Sequence, residues 1–232
     1  TVGPAAALSV TVQPATTASV AVALTTQPSV QLRDAGGNAV SQAGVLVTAT
    51  ASGATVSSST ATSNASGVAT FSGLALSGPA NVSYLLTFSA SGVSSVNAAL
   101  QTALNPGAPA SITLLTPPPL TAVNNVAFGV TPQILVQDAA GNAVPSQLVR
   151  AEAPGATVTN GSATTNAVGI AGFPGLVLTG QVSGYSMRFC TGGNCNSTLA
   201  IAVSSTPTAL ATGAASALSA FAGGGADTVS LD

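Results

Sequence analysis

The chain has 232 residues, with three Lys+Arg, five Asp+Glu and no His, so charged residues make up 3% of it, against about 25% in an ordinary soluble domain. Acid–base and nucleophilic catalysis depend mainly on His, Lys and paired carboxylates, so this composition predicts no enzyme and no cofactor. A net charge of −2 with three arginines cannot neutralise a phosphate backbone, which excludes nucleic acid as a partner.

Apolar residues make up 46% of the chain, which is enough for a core but also requires a test for a membrane span. A transmembrane helix needs about 20 consecutive and mostly large apolar residues. The best uncharged window, 209–226, consists of Ala, Gly, Ser and Thr, and its only large apolar residues are Leu210, Leu218 and Phe221. The sequence therefore predicts no transmembrane segment.

An internal repeat covers most of the chain. The segment QLRDAGGNAV at 31–40 returns as LVQDAAGNAV at 135–144, and GVATFSGLAL at 67–76 returns as GIAGFPGLVL at 169–178. Such self-similarity at a fixed period indicates a duplicated structural unit. We predict a first domain over residues 1–104 and a second over residues 105–205.

Short strands between turns are predicted within each copy. Residues 45–50 and 84–88 alternate between apolar and polar side chains, which is the pattern of a half-buried strand. Turn residues at 34–38, 64–67 and 77–78 separate the apolar runs. About seven short strands in each copy of roughly 100 residues favour an all-β fold, a β-sandwich.

The repeated motifs also resemble a known family. The pattern DAxGNAV, the segment GVATFSGLALSG and a Tyr-x-Leu-x-Phe strand together resemble bacterial Ig-like domains of the intimin–invasin type, over roughly residues 3–205. The resemblance implies two tandem immunoglobulin-like β-sandwiches and a place in surface stalks, adhesins or extracellular fibres. It does not imply one function, because such domains are spacers as often as binders.

A C-terminal extension, residues 206–232, has no counterpart after the first copy. Its larger apolar residues, spaced by Ala, Ser and Gly, are Leu210, Leu218, Phe221, Val229 and Leu231. Three interpretations stay open: a linker, a segment that docks on a neighbouring subunit (for instance as a donated strand), or a short helix on its own domain.

Two cysteines, Cys190 and Cys195, stand where the first copy has Ser89 and Ser94. The four residues between them fit a disulfide across a hairpin, whereas two thiolates provide only half of a zinc site. A disulfide indicates an oxidising, extracytoplasmic setting. Because the sequence begins at Thr1 without a basic and apolar leader, we expect a secreted or cell-surface protein whose signal peptide has been removed.

The carboxylates at equivalent positions of the two copies, Asp34 and Asp138, are predicted to stabilise turns. Their short side chains can accept hydrogen bonds from the backbone two residues further on. A calcium site needs several carboxylates in one loop, and each of these loops supplies one, so no metal is predicted.

The remaining charges of the second copy, Arg150, Glu152 and Arg188, replace threonines of the first copy and are predicted to face outward. We interpret them as solvated surface, with an Arg150–Glu152 pair two residues apart on one strand. An anion-binding site is the alternative.

Four Asn-x-Ser/Thr sequons are candidate glycosylation sites. They are numerous partly by chance, because the chain is rich in Asn, Ser and Thr. The acceptor residues are Asn64, Asn81, Asn160 and Asn196.

The scarcity of charge leads to a hypothesis about function. A surface of near-zero charge promotes association, and uncharged edge strands of a sandwich are open to pairing. We therefore expect a structural subunit of a secreted bacterial filament or surface assembly, either packed against its own copies or coated with covalent glycans. The alternatives are a stalk or spacer fragment of an adhesin whose tip lies outside this chain, and a carbohydrate-binding module. The lack of Trp and the inward positions predicted for Tyr84 and Tyr185 weaken the last of these.

Overall fold

A computed structural model describes residues 2–195 and 199–204 of the chain. Backbone contacts divide it into two compact units. Unit 1 consists of the residues up to Ala108 together with Asp138–Asn142, and unit 2 consists of Pro109–Gln137 and the residues from Ala143 onward. The regular elements of the described residues are all β-strands, which confirms the all-β prediction.

The strands of unit 1 have three to six residues each, because turn residues interrupt the chain at short intervals. They are β1 (Ala7–Val12), β2 (Thr17–Ser19), β3 (Ser29–Arg33), β4 (Leu46–Ala51), β5 (Thr55–Ser57), β6 (Thr60–Thr62), β7 (Val68–Thr70), β8 (Ala75–Ser77), β9 (Val82–Tyr84), β10 (Leu86–Ala90), β11 (Val93–Asn97) and β12 (Thr102–Asn105).

Unit 1 is a sandwich of two antiparallel layers. One layer has the order β1-β3-β7 and the other the order β6-β4-β10-β11. The layers join where β1 pairs in parallel with β11, at Ala7 and Ser94. Two smaller sheets, β2-β12-β9 and β5-β8, complete the unit. This strand order is that of an Ig-like β-sandwich.

The core of unit 1 lies between the two layers. Phe71, which follows β7, packs on Phe88 of β10 with ring centroids 5.4 Å apart. The alternation predicted for 45–50 is confirmed, because Val47 and Ala49 are buried and Leu46 is exposed. The strand predicted over 84–88 is interrupted at Leu85, where pairing passes from β12 to β4 and β11.

The strands of unit 2 follow the same succession, with one long strand in place of two short ones. They are β13 (Ser111–Thr116), β14 (Thr121–Val123), β15 (Gln133–Gln137), β16 (Leu148–Glu152), β17 (Thr157–Thr159), β18 (Ser162–Thr164), β19 (Ile170–Gly172), β20 (Val177–Thr179), β21 (Ser183–Thr191), β22 (Asn194–Cys195) and β23 (Leu199–Ser204).

Unit 2 is built around β21, which pairs with β23 along its first half and with β16 along its second. One sheet has the order β14-β23-β21-β16-β18, with β22 added to β21, and a second has the order β13-β15-β19. Strands β17 and β20 form a separate pair. Phe173 and Phe189 repeat the aromatic contact of unit 1, with ring centroids 5.1 Å apart. Both units are therefore closed by the same kind of core.

Candidate functional site

A buried carboxylate organises the turn after β3. Asp34 Oδ1 accepts hydrogen bonds from the backbone N–H groups of Gly36 at 3.0 Å and Asn38 at 2.8 Å. Asp34 Oδ2 accepts the N–H of Gly3 at 2.9 Å, and the Asn38 amide donates to both carboxylate oxygens. These donors, the Gly3 N–H first among them, lower the pKa of Asp34 to about 2. The predicted turn is confirmed, and the carboxylate also fixes the first residues of the chain.

The same arrangement recurs at Asp138. Its carboxylate accepts the N–H groups of Gly107 at 2.8 Å, Ala140 at 2.9 Å and Asn142 at 2.9 Å. Burial raises the pKa of Asp138, but the hydrogen bonds from Gly107 and Asn142 outweigh it, so that the pKa is lowered. Gly3 and Gly107 lie at equivalent repeat positions, and this coincidence was the sequence signal for the contact. Both carboxylates are structural groups, fully occupied by backbone donors.

The charges of unit 2 gather on one face of β16 and β21. Arg188 binds Glu152, with Nη2 at 2.9 Å and Nε at 3.0 Å from Oε2. The predicted pair between Arg150 and Glu152 is wrong, because Glu152 lies directly opposite Arg188 in the register of the two strands. Cross-strand neighbours are about 5 Å apart, closer than residues two apart along one strand.

Arg150 occupies the next position on the same face. It lies opposite Cys190 in β21, is exposed, and makes no hydrogen bond or ion pair with the part of the chain that the structure describes. An open groove of about 500 Å³ runs past it, lined also by Leu148, Glu152 and Arg188. Two arginines and one glutamate leave this groove with a formal charge of +1.

Cys190 and Cys195 are joined in a disulfide with their Cα atoms 4.1 Å apart. They lie opposite each other in β21 and β22, across the turn Gly192-Gly193. The sulfurs are thus bonded to each other, and no group of three or more His, Cys, Asp or Glu side chains able to hold a metal ion occurs among residues 2–195 and 199–204.

The sequons differ in the state of the amide nitrogen to which a glycan would be attached. Asn64 is exposed, and its Oδ1 accepts the N–H groups of Ser66 and Val68. Asn81 is also exposed, with a left-handed φ of 61°. Asn160 instead donates its Nδ2 to the carbonyl of Gly175 at 2.8 Å. Asn196 lies outside the described residues, as does most of the predicted extension 206–232.

Apolar side chains are exposed at equivalent positions of both units. Leu46 and Leu148, the first residues of β4 and β16, are 56% and 45% exposed. Val22 and Val126 form a second equivalent pair, 54% and 51% exposed. The alternating pattern predicted the outward direction of Leu46, but the sequence gave no reason to expect a repeated apolar surface.

Comparisons with known proteins concern the fold. No family model and no curated protein sequence matches the chain. Among solved structures, it is similar to the Escherichia coli adhesin FdeC (19% identity, 87% of this chain and 65% of that one, TM-score 0.48). It is also similar to the Yersinia pseudotuberculosis adhesin InvE (15%, 84% and 58%, TM-score 0.35) and to invasin, a bacterial integrin-binding protein (17%, 87% and 40%, TM-score 0.36).

The chain spans less than two thirds of each of these three structures. Within the described residues, no helix is long and apolar enough to cross a membrane. The strand order of unit 1, with the same aromatic contact repeated in unit 2, identifies an all-β fold of Ig-like sandwiches. The solved proteins that share this fold with the chain include bacterial adhesins of the intimin–invasin type.

Proposed function

We propose that this chain is a structural subunit of a secreted bacterial filament or surface assembly, in which copies associate through uncharged faces of their Ig-like units. The observation that carries the proposal is the repeated exposure of Leu46 and Leu148 on a surface with almost no charge. Exposed apolar patches on a charge-poor surface favour protein–protein contact over solvation.

A non-catalytic role agrees with the chemistry of the described side chains. The buried carboxylates Asp34 and Asp138 are occupied by backbone donors. Glu152 is paired with Arg188 at the surface. The chain contains no His and no Lys, so its many serines lack a side chain that could deprotonate them.

An extracellular or cell-surface location agrees with the disulfide. Disulfides persist in oxidising compartments and are rare in the cytoplasm. The Cys190–Cys195 bridge therefore supports secretion, and the expected removal of a signal peptide belongs to the same proposal. Covalent glycans at exposed sequons such as Asn64 would be a further feature of such a surface.

The test is the association of the purified chain. Sedimentation velocity over a hundredfold range of concentration, followed by negative-stain microscopy, should show assemblies that grow with concentration. The double variant Leu46→Glu/Leu148→Glu should weaken association by about tenfold, roughly 1.4 kcal/mol. Ser95→Glu/Thr159→Glu, which adds the same charge at exposed polar positions, is the control and should associate as the parent does.

A spacer in an adhesin stalk is the alternative, favoured by the arrangement of one turn carboxylate per repeat that fixes the preceding segment. It predicts a chain that stays monomeric at the highest concentration, with or without glycans. That result would exclude the assembly and leave the spacer.

A further inference from the structure

We propose that the exposed face of β16 in unit 2 binds the segment Asp227–Leu231 of a neighbouring copy, with Arg150 pairing with Asp227 and Leu148 packing on Val229. The inference rests on the proposed function, because it names a contact through which copies associate. It is carried by the distribution of charge, by the spacing of residues on β16, and by the difference between the two units.

The cations of the chain leave one arginine uncommitted. Arg33 donates to Ser9 Oγ at 2.9 Å and to the carbonyl of Gly37 at 3.3 Å. Arg188 is paired with Glu152. Arg150, the third and last arginine, makes no such contact within residues 2–195 and 199–204. A guanidinium group binds carboxylates strongly because it can donate two parallel hydrogen bonds.

The carboxylates are distributed in a complementary way. Asp34 and Asp138 are held in their turns, and Glu152 is held by Arg188. The two other acidic residues of the chain are Asp227 and Asp232, both beyond the described residues. The carboxylate that complements Arg150 is therefore found in this sequence at one of these two positions.

Spacing selects Asp227. Leu148 and Arg150 flank the fully buried Val149 on β16 and are both exposed, so they lie about 6.6 Å apart on one face. The segment Asp-Thr-Val-Ser-Leu at 227–231 has the same period of two. In an extended conformation its acidic and apolar side chains share one face. Laid antiparallel on β16, the segment brings Asp227 to Arg150 and Val229 to Leu148.

The groove provides space for the segment and limits it to unit 2. It is about 500 Å³ in volume and passes Arg150 and the disulfide. At the equivalent positions unit 1 has the exposed Leu46 but a threonine, Thr48, in place of the arginine. Each copy thus carries one complete site and one segment. Such a head-to-tail contact generates an open filament when its rotation does not close a ring.

The test is a charge exchange in the full chain, measured by sedimentation velocity. Arg150→Glu and Asp227→Arg should each weaken association by about tenfold, and the double variant should restore it because the pair is reformed with reversed charge. Asp232→Arg is the matched control, since Asp232 lies on the other face of the extended segment, and it should associate as the parent does. Thermal unfolding of each variant checks that the fold is intact.

The outcomes separate this inference from the function on which it rests. If the parent assembles and Arg150→Glu assembles equally well, the docking contact is overturned and the assembly stands. Equal losses in Asp227→Arg and Asp232→Arg would overturn the proposed register. A parent chain that remains monomeric would overturn the assembly itself.

Discussion

The carboxylate of Asp34 accepts the backbone N–H of Gly3, 31 residues earlier in the chain, at 2.9 Å. The bond ties the start of unit 1 to the turn after β3. Gly107 and Asp138 make the same bond at 2.8 Å and the same separation. One carboxylate per repeat thus does two tasks, closing a turn and fixing the segment that precedes the first strand.

Substitution of Asp34 by Asn should lower the midpoint of thermal unfolding by several degrees. The amide keeps one acceptor oxygen but turns an NH₂ group toward the N–H donors of Gly3, Gly36 or Asn38, which then lose their partner. Ser95→Asn, at an exposed position of β11, is the control. Unchanged unfolding of the Asp34 variant would contradict the role given to this carboxylate.

Stability should also depend on pH through the same group. The pKa of Asp34 is about 2 in the folded state, against about 3.9 in an unfolded chain. Because the folded-state pKa is the lower one, the stabilisation is fully present above about pH 4 and is lost as the pH falls toward 2. Urea unfolding between pH 6 and pH 2 should show a steeper loss in the parent than in Asp34→Asn. Equal slopes would refute this assignment.

Truncation of Phe88 to Ala should destabilise the chain by about 3–5 kcal/mol, the usual cost of removing a fully buried aromatic side chain. Phe88 is 0% exposed and packs on Phe71 across the two layers. Phe88→Leu leaves a smaller void and should cost less. Urea unfolding followed by circular dichroism measures both, and a loss below 1 kcal/mol for Phe88→Ala would show that the core collapses around the gap.

Removal of the disulfide should have a modest effect. The loop closed by Cys190 and Cys195 is short, so the chain-entropy model gives about 2 kcal/mol of stabilisation. Cys190→Ser/Cys195→Ser reproduces the serines of unit 1 and should fold, with a lower midpoint in urea. A variant that fails to fold would mean that the bridge is required for unit 2 rather than supportive of it.

Glycosylation in a host that modifies Asn-x-Ser/Thr should distinguish the described sequons. Asn64 and Asn81 are exposed, and neither amide nitrogen donates a hydrogen bond within the described residues, whereas the Nδ2 of Asn160 donates to Gly175 at 2.8 Å. Peptide mass spectrometry should therefore find glycans at Asn64 and Asn81 before Asn160. Preferential modification of Asn160 would contradict this order, and Asn→Gln variants identify each site.

The local pattern of the sequence determined the repeat, the alternating strands and the turns at Asp34 and Asp138. These features depend on covalent geometry over a few residues: side chains alternate along any strand, and a short carboxylate reaches the backbone two residues on. The spacing of Cys190 and Cys195 belongs to the same class, since a hairpin of four intervening residues brings them opposite each other.

The tertiary structure alone decided which residues meet across strands. Glu152 pairs with Arg188 rather than Arg150, and Gly3 reaches Asp34, because strand register brings together residues far apart in sequence. It also placed Leu46 and Leu148 on exposed faces of two separate units. Register is set by the summed packing of whole layers, which no short segment contains.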